Sequence, residues 1–476
     1  MKFSFLTIIV VLFASYAKLV TAQSADEVYR QDLKKVLNEI ERKYQVKLLY
    51  EEKNIKGKMV DYADWRYRKD ISSTLDNVLL PLDMVWKAKG NGTYEIGKYE
   101  YFRKEFEEGK ANLDKLLSFY PDQNSWEKRK SEIKDSILKV LGINPNASRK
   151  DLKVITTSRR IKDGYSVENV AIESFPGYYI TGSLYKPLKK GQHPAILNPH
   201  GHFYNKIDPS IPDERGRYRP DMQYRCAALA KMGAVVFNYD MYSYGESVLQ
   251  SGNKSYHKTG FALAIQTWNS IRVVDFLTSL QSVDKSRIGI TGASGGGTQT
   301  FIATALDDRI TASCPVVMVS SSFYGGCNCE SGLPIHTSCG TNNAEITAMA
   351  APRPQMVISD GNDWTKTVPT IEYPYLKKIY AFYSKDKLVQ NVHLPEDNHD
   401  YGFSKRVPMY QFFANQFNLD LKAISDKKGN IDESGINIEK SDQQLVFANP
   451  SDIPVNMLRK HDDIVKSFQK YHNRKP

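Results

Sequence analysis

The chain is short of cysteine, of long apolar runs and of basic clusters, and each shortage closes off a class of protein. Five cysteines among 476 residues are too few for a disulfide-built scaffold, so a hydrophobic core must organise the chain. Beyond residue 22 no apolar stretch reaches the ~20 residues that a membrane-spanning helix needs. Formal net charge is +11, yet Lys and Arg are interspersed with Asp and Glu, and a basic cluster such as Lys186, Lys189 and Lys190 is short. That pattern argues against nucleic acid as a partner and leaves only modest attraction to acidic polymers.

What is present begins with a leader. Met1-Lys2-Phe3-Ser4-Phe5 is followed by an apolar run from Leu6 to Ala14 and small residues ending at Val20-Thr21-Ala22. A basic start, a short apolar stretch and small residues before a cut predict a secretory signal peptide over residues 1–22. Lys18 interrupts the apolar run and argues against an uncleaved anchor, and Gln23 rather than a lipid-accepting Cys would open the exported chain. Export, periplasmic or extracellular, means an oxidising compartment. Four cysteines fall between Cys314 and Cys339, which there favours one local disulfide, with Cys327 or Cys329 to Cys339 the first pairing to test. The alternative, a metal site from Cys327, Cys329, His336 and Cys339, lacks the usual structural-zinc spacing.

The length predicts two or three domains. Residues 23–97 read as a small αβ domain: Val28, Leu33, Val36, Leu37, Ile40 and Tyr44 recur at helical intervals, a strand follows at VKLLYEE, and a second helix from Ile71 leads to strands about an Asn91-Gly92 turn. Residues 98–150 are a Lys-, Glu- and Leu-rich helical linker stopped by Gly142-Ile143-Asn144-Pro145. From Leu152 to Pro187 alternating segments read as antiparallel strands. Thereafter strand, loop and helix repeat through PAILNPHG, AVVFNYD, RIGITGAS, ASCPVVMV, QMVISDG and VQNVHLPE. That order predicts an α/β fold with a mostly parallel central sheet over residues 151–419. Residues 420–476 form a peripheral extension with one short strand, QQLVFANP, and a terminal helix.

Gly292-Ala293-Ser294-Gly295-Gly296 follows the apolar strand RIGIT and precedes a helix from Thr298 to Leu306. A nucleophilic serine on a tight strand-to-helix turn needs neighbours without Cβ atoms, and the helix start offers N–H groups to a developing oxyanion. Such a serine needs a base, and the base an orienting acid, in the chain order Ser, acid, His. Of the downstream histidines His336, His393, His399, His461 and His472, His399 lies in the polar loop PEDNHDYG just past a strand and is the expected base. His393 sits within strand alternation and reads as packed; His336 is the competitor. For the acid, Asp363 in VISDGNDWTK is favoured, with Asp360, nearer the strand end, as the alternative. The loop LNPHGHFY is expected to complete the oxyanion hole, the His202 N–H joining that of Gly295. A metal pair at His200 and His202 lacks a third ligand nearby. The segments YDMYSYGES and SSSFYGGCNCESGLPIH read as pocket-lining loops.

Two resemblances follow from these motifs. From about Trp126 to Pro454, the segments PHGHF, YDMYSYGES, GITGASGGGTQT, CNCESGLP, ITAMAAPRPQMVISDGNDWTK and NHDYG resemble the acetyl xylan esterase-like group of α/β hydrolases. That resemblance implies nucleophile Ser294, acid Asp363 and base His399, no metal or organic cofactor, and removal of acetyl groups from plant polysaccharides such as xylan. Residues 26–97 resemble the secretin and TonB N-terminal domain, which is not a usual part of that group; it implies either a packing appendage or a contact with another exported protein. Two competing readings are a prolyl oligopeptidase-like serine peptidase, for which the N-terminal region is too short to build a propeller, and a non-catalytic glycan-binding protein on the same fold.

Overall fold

The computed structural model describes residues 29–82, 84–98, 103–149, 152–202, 216–331 and 333–473; the expected leader lies outside them. The chain divides into two compact units, one up to Tyr101 and one from Phe102 onward.

The first unit is a small αβ sub-domain. Its opening helix, Leu33–Tyr44, starts where the Asp32 carboxylate accepts from the Lys34 N–H at 2.9 Å, and it ends at Gln45 in left-handed geometry. Its apolar spacing puts Leu33, Val36, Leu37 and Ile40 on one buried face, where they meet Leu75, Val78 and Leu79 of the helix Ile71–Leu79. Strands β1 (Gln31–Asp32) and β3 (Met59–Val60) pair antiparallel. Strands β2 (Lys47–Leu49), β4 (Met84–Gly90) and β5 (Thr93–Lys98) form a second sheet in the order β2-β5-β4. The expected Asn91-Gly92 turn joins β4 to β5 with both residues at positive φ, 49° and 68°.

The second unit is built on nine strands: β6 (Val154–Ile161), β7 (Tyr165–Phe175), β8 (Tyr178–Pro187), β9 (His193–Pro199), β10 (Val235–Tyr239), β11 (Val283–Ala293), β12 (Ala312–Val316), β13 (Gln355–Asp360) and β14 (Val389–Leu394). Their order is β14-β13-β12-β11-β9-β10-β8-β7-β6. Pairings from β14 to β10 are parallel and those from β10 to β6 antiparallel. A parallel sheet must bury both faces, and successive residues of β9 do so: Ala195 and Leu197 enter one core with the helices Gly260–Ser279 and Gly295–Leu306. Ile196 enters the other core, with the helices Pro220–Lys231 and Phe403–Phe417. The helices Phe106–Leu117 and Gln123–Val140 send Leu113, Leu116, Trp126 and Ile133 into the first of these cores.

This order also fixes where a site opens. The chain leaves β9 for β10 on one side and returns to β11 on the other, so the connections diverge at the C-terminal ends of β9 and β11. Open parallel sheets bind ligands at such a switch point. One expectation fails. QQLVFANP is not a strand: Ser441–Gln444 is a single 3₁₀ turn, and the N–H groups of Val446 and Phe447 are taken by the buried Glu246 carboxylate at 2.9 and 2.8 Å rather than by a sheet edge. No helix among the described residues is long and apolar enough to cross a membrane.

Candidate active site

Ser294 sits between β11 and the helix Gly295–Leu306 with φ 56° and ψ −124°, a conformation costly for any residue with a Cβ. Two glycines make the turn feasible. A Cβ on Gly292 would lie 2.5 Å from the Pro199 carbonyl oxygen, and one on Gly296 only 2.3 Å from the same atom. The strain is held by Ser294 N–H donating to Val316 O at 3.1 Å and by the helix that follows. Its hydroxyl therefore projects at the switch point, into a cavity of about 850 Å³.

His399, on the loop after β14, lines the same cavity. Its Nδ1 lies 2.6 Å from Asp363 Oδ2, and its ring packs on Trp364 with centroids 4.5 Å apart. Asp363 is a 3₁₀ N-cap: its other oxygen accepts from Thr365 N at 2.5 Å and from Thr365 Oγ1 at 2.6 Å. Those bonds aim the free carboxylate edge at the imidazole. Asp360 is placed differently. It is buried at the end of β13, with Lys405 Nζ 3.3 Å away. Burial and the neighbouring Asp363 charge push its pKa up to about 7 against the pull of Lys405. The structure brings Asp363, not Asp360, to His399.

The other histidines go elsewhere. His393 contacts Ser359 Oγ across the β13–β14 pair at 2.9 Å. His336 contacts Asn343 Oδ1 at 2.9 Å and stacks on Tyr324, and it is not among the residues lining the Ser294 cavity. His200 Nε2 accepts from Met241 N–H at 3.1 Å, and burial lowers its pKa to about 3. It is a neutral brace between loops.

Gly201, His202 and Gly295 line one small recess beside Ser294. Gly295 opens its helix, where first-turn N–H groups have no intrahelical acceptor.

Three side chains in this region escaped the motif reading. Glu330, in the CNCES segment, places Oε1 2.5 Å from His202 Nδ1 and 3.4 Å from Ser294 Oγ, while Oε2 accepts from Gly326 N–H at 2.9 Å. Burial alone would raise its pKa, but His202 and the Gly326 N–H outweigh burial and hold it below the usual carboxylate range. His257 lines the cavity from the 3₁₀ segment Lys254–Lys258. Lys405, fully buried, donates to Asn398 O at 2.6 Å and Asp400 Oδ1 at 3.0 Å and so pins the loop that carries His399. Glu330 and His257 have no local signature because the ring they face, that of His202, comes from a distant loop, whereas Lys405 bonds within its own neighbourhood, to residues five and seven positions earlier.

The cysteines also depart from expectation. Cys327 and Cys329 are joined to each other, and Cys339 is a free, buried thiol. Cys339 and His336 do not join the first two as a ligand set; His202 and His257 are the histidines beside Cys327.

Comparisons with known proteins converge on esterases. The family described as "Glucuronyl esterase, fungi" matches residues 232–330, the span from β10 through Ser294 to Glu330. The curated 4-O-methyl-glucuronoyl methylesterase of Podospora anserina is 29% identical over 30% of this chain and 27% of its own length; that of Neurospora crassa is 37% identical over 18% and 22%. The chain thus spans about a quarter of the length of these curated relatives. The solved structure of methylesterase BT1017 is 39% identical, covers 94% of this chain and 98% of its own, and superposes with a TM-score of 0.79. A match of that extent must run into residues 29–98, so the small αβ sub-domain is shared with that protein rather than peculiar to this one. The chain belongs to the α/β-hydrolase-like family of carbohydrate esterases that contains this methylesterase and the glucuronoyl esterases.

Proposed function

We propose that the protein is an exported serine carboxylic-ester hydrolase acting on esters of plant cell-wall polysaccharides, with Ser294, His399 and Asp363 as nucleophile, base and orienting acid. The observation that carries this reading is the strained Ser294 turn opening onto the same cavity as a His399–Asp363 pair at 2.6 Å. Ser294 attacks the ester carbonyl as His399 takes its proton; Asp363 holds the ring and offsets the imidazolium charge. The N–H groups of His202 and Gly295 receive the oxyanion, and water then releases the acyl group from Ser294. Glu330 Oε1 lies 3.4 Å from the hydroxyl, but a carboxyl held low is a weak proton acceptor, so it positions the hydroxyl while the imidazole takes the proton.

The ester we infer is a uronoyl methyl ester in preference to an O-acetyl group. Support comes from the methylesterase relative at 39% identity over 94% of the chain and from Arg219 and Lys258 in the cavity lining, which favour a carboxylate product or neighbouring uronates. On this reading the sugar acid is carried on Ser294 and methanol leaves. Incubation with methyl-esterified uronate oligosaccharides should release methanol, with none from Ser294→Ala. Acetate release from acetylated xylan without methanol release would return the acetyl esterase reading, and cleavage of a peptide amide would favour the peptidase.

A further inference from the structure

His202, His257 and Cys327 each present a ligand atom within 4.8 Å of the other two, at the wall of the cavity. The arrangement of the two imidazoles is specific. His202 Nδ1 faces the Glu330 carboxylate at 2.5 Å, leaving Nε2 turned to the sulfurs, 3.0 Å from Cys329 Sγ and 3.6 Å from Cys327 Sγ. His257 Nδ1 faces the Lys254 carbonyl at 2.5 Å. Its Nε2 is buried and has no hydrogen-bond partner, on a residue only 6% exposed. The two rings lie 5.0 Å apart. In both histidines an oxygen acceptor fixes the proton on Nδ1, which puts the lone pair on Nε2. Carboxylate or carbonyl on one nitrogen and cation on the other is how proteins orient metal-binding imidazoles. An orphaned buried nitrogen is otherwise a cost without a return.

We propose that the chain binds one zinc-like divalent cation here through His202 Nε2, His257 Nε2 and the thiolates of Cys327 and Cys329, with Glu330 and the Lys254 carbonyl orienting the rings. Cys329 Sγ, 3.0 Å from His202 Nε2, stands outside the three-residue cluster while the disulfide holds it; with the disulfide open, two nitrogens and two sulfurs make a tetrahedral zinc set, whose ligand atoms stand roughly 3.3–3.8 Å apart at ordinary bond lengths. The chain is made with both cysteines as thiols, so capture needs no reductant: two S–H bonds break, two Zn–S bonds form, and two protons leave to solvent. The Cys327–Cys329 disulfide is the alternative form of the same pair, closed by exchange with a small-molecule disulfide that takes the two electrons and two protons and leaves as two thiols, and it excludes the cation. This proposal is independent of the esterase reading, since its readout is metal content and spectrum.

The test is the full chain kept reduced by a trialkylphosphine, incubated with Zn²⁺, freed of unbound metal by gel filtration, and assayed for zinc per chain. One equivalent is expected in the reduced protein and none in the oxidised form. Cys327→Ser with Cys329→Ser should abolish retention, His257→Asn should weaken it, and Glu330→Gln should cost about 10- to 100-fold in affinity as an orienting partner. Because a variant can misfold, reduced wild-type protein is also titrated with Co²⁺. Thiolate-to-cobalt charge transfer with tetrahedral ligand-field bands, saturating at one equivalent, is the expected spectrum. Octahedral bands without charge transfer, or a reduced wild type holding no more zinc than the double cysteine variant, would overturn the proposal.

Discussion

Asp360 and Asp363 stand three positions apart, and their surroundings give them different chemistry. Asp363 is solvated by protein donors and faces an imidazole; Asp360 is buried beside Lys405 and holds its proton to about pH 7. Sequence order left the two open, because both lie near the end of the same strand. Only the Thr365 cap, which turns one carboxylate and not the other, decides between them. Asp363→Ala should lower kcat by about 10³- to 10⁴-fold and Ser294→Ala by about 10⁶-fold, since orienting a base is a smaller contribution than supplying the nucleophile. Steady-state rates on one ester substrate check the ranking. Ser294 and His399 were legible from glycine spacing and from a polar loop after a strand. Glu330 and His257 were not, because their partner His202 is 128 and 55 positions away and no motif links them.

At the scale of elements, the sheet was legible because hydrophobic alternation and strand–helix repetition are local properties. The failure at QQLVFANP has a physical cause. Val446 and Phe447 are buried, but the side chain of Glu246, some 200 positions earlier, supplies the acceptors that a neighbouring strand would have given. Tertiary hydrogen bonding overrode a strand-like pattern. The nucleophile turn is the element most tightly constrained by packing. Gly296→Ala would drive a Cβ to 2.3 Å from the Pro199 backbone oxygen, which no side-chain rotation relieves, so either β9 or the helix after Ser294 must move. A loss on the order of 3 kcal/mol is expected in urea unfolding, together with loss of turnover.

The whole molecule combines a small αβ sub-domain with a larger unit whose two cores lie on opposite faces of one sheet. That the sub-domain recurs in a relative matched over 94% of the chain makes it part of the shared architecture; deducing this from one sequence was not feasible, since periodicity reports a fold and not its company. The larger unit also stores a pH response in the terminal helix His461–Asn473. His472 is buried against Trp268 and accepts from the Asn144 N–H at 3.2 Å, and burial lowers its pKa to about 4. An unfolded histidine titrates near ~6.5, so below that pH the unfolded chain takes up a proton the native state refuses. Stability from this group is thus complete above ~6.5 and falls as pH drops towards 4. The stability advantage of wild type over His472→Gln should shrink between pH 7 and pH 4.5, as measured by urea midpoints; an advantage unchanged across that range would show that the histidine is not held neutral.

The central claim is that Ser294 is a nucleophile activated by His399, and covalent labelling tests it most directly. A fluorophosphonate should modify wild-type protein once, on Ser294 by peptide mass spectrometry, with labelling abolished in Ser294→Ala and greatly slowed in His399→Asn. A wild-type protein that takes no label, or takes it on another residue, would contradict the account.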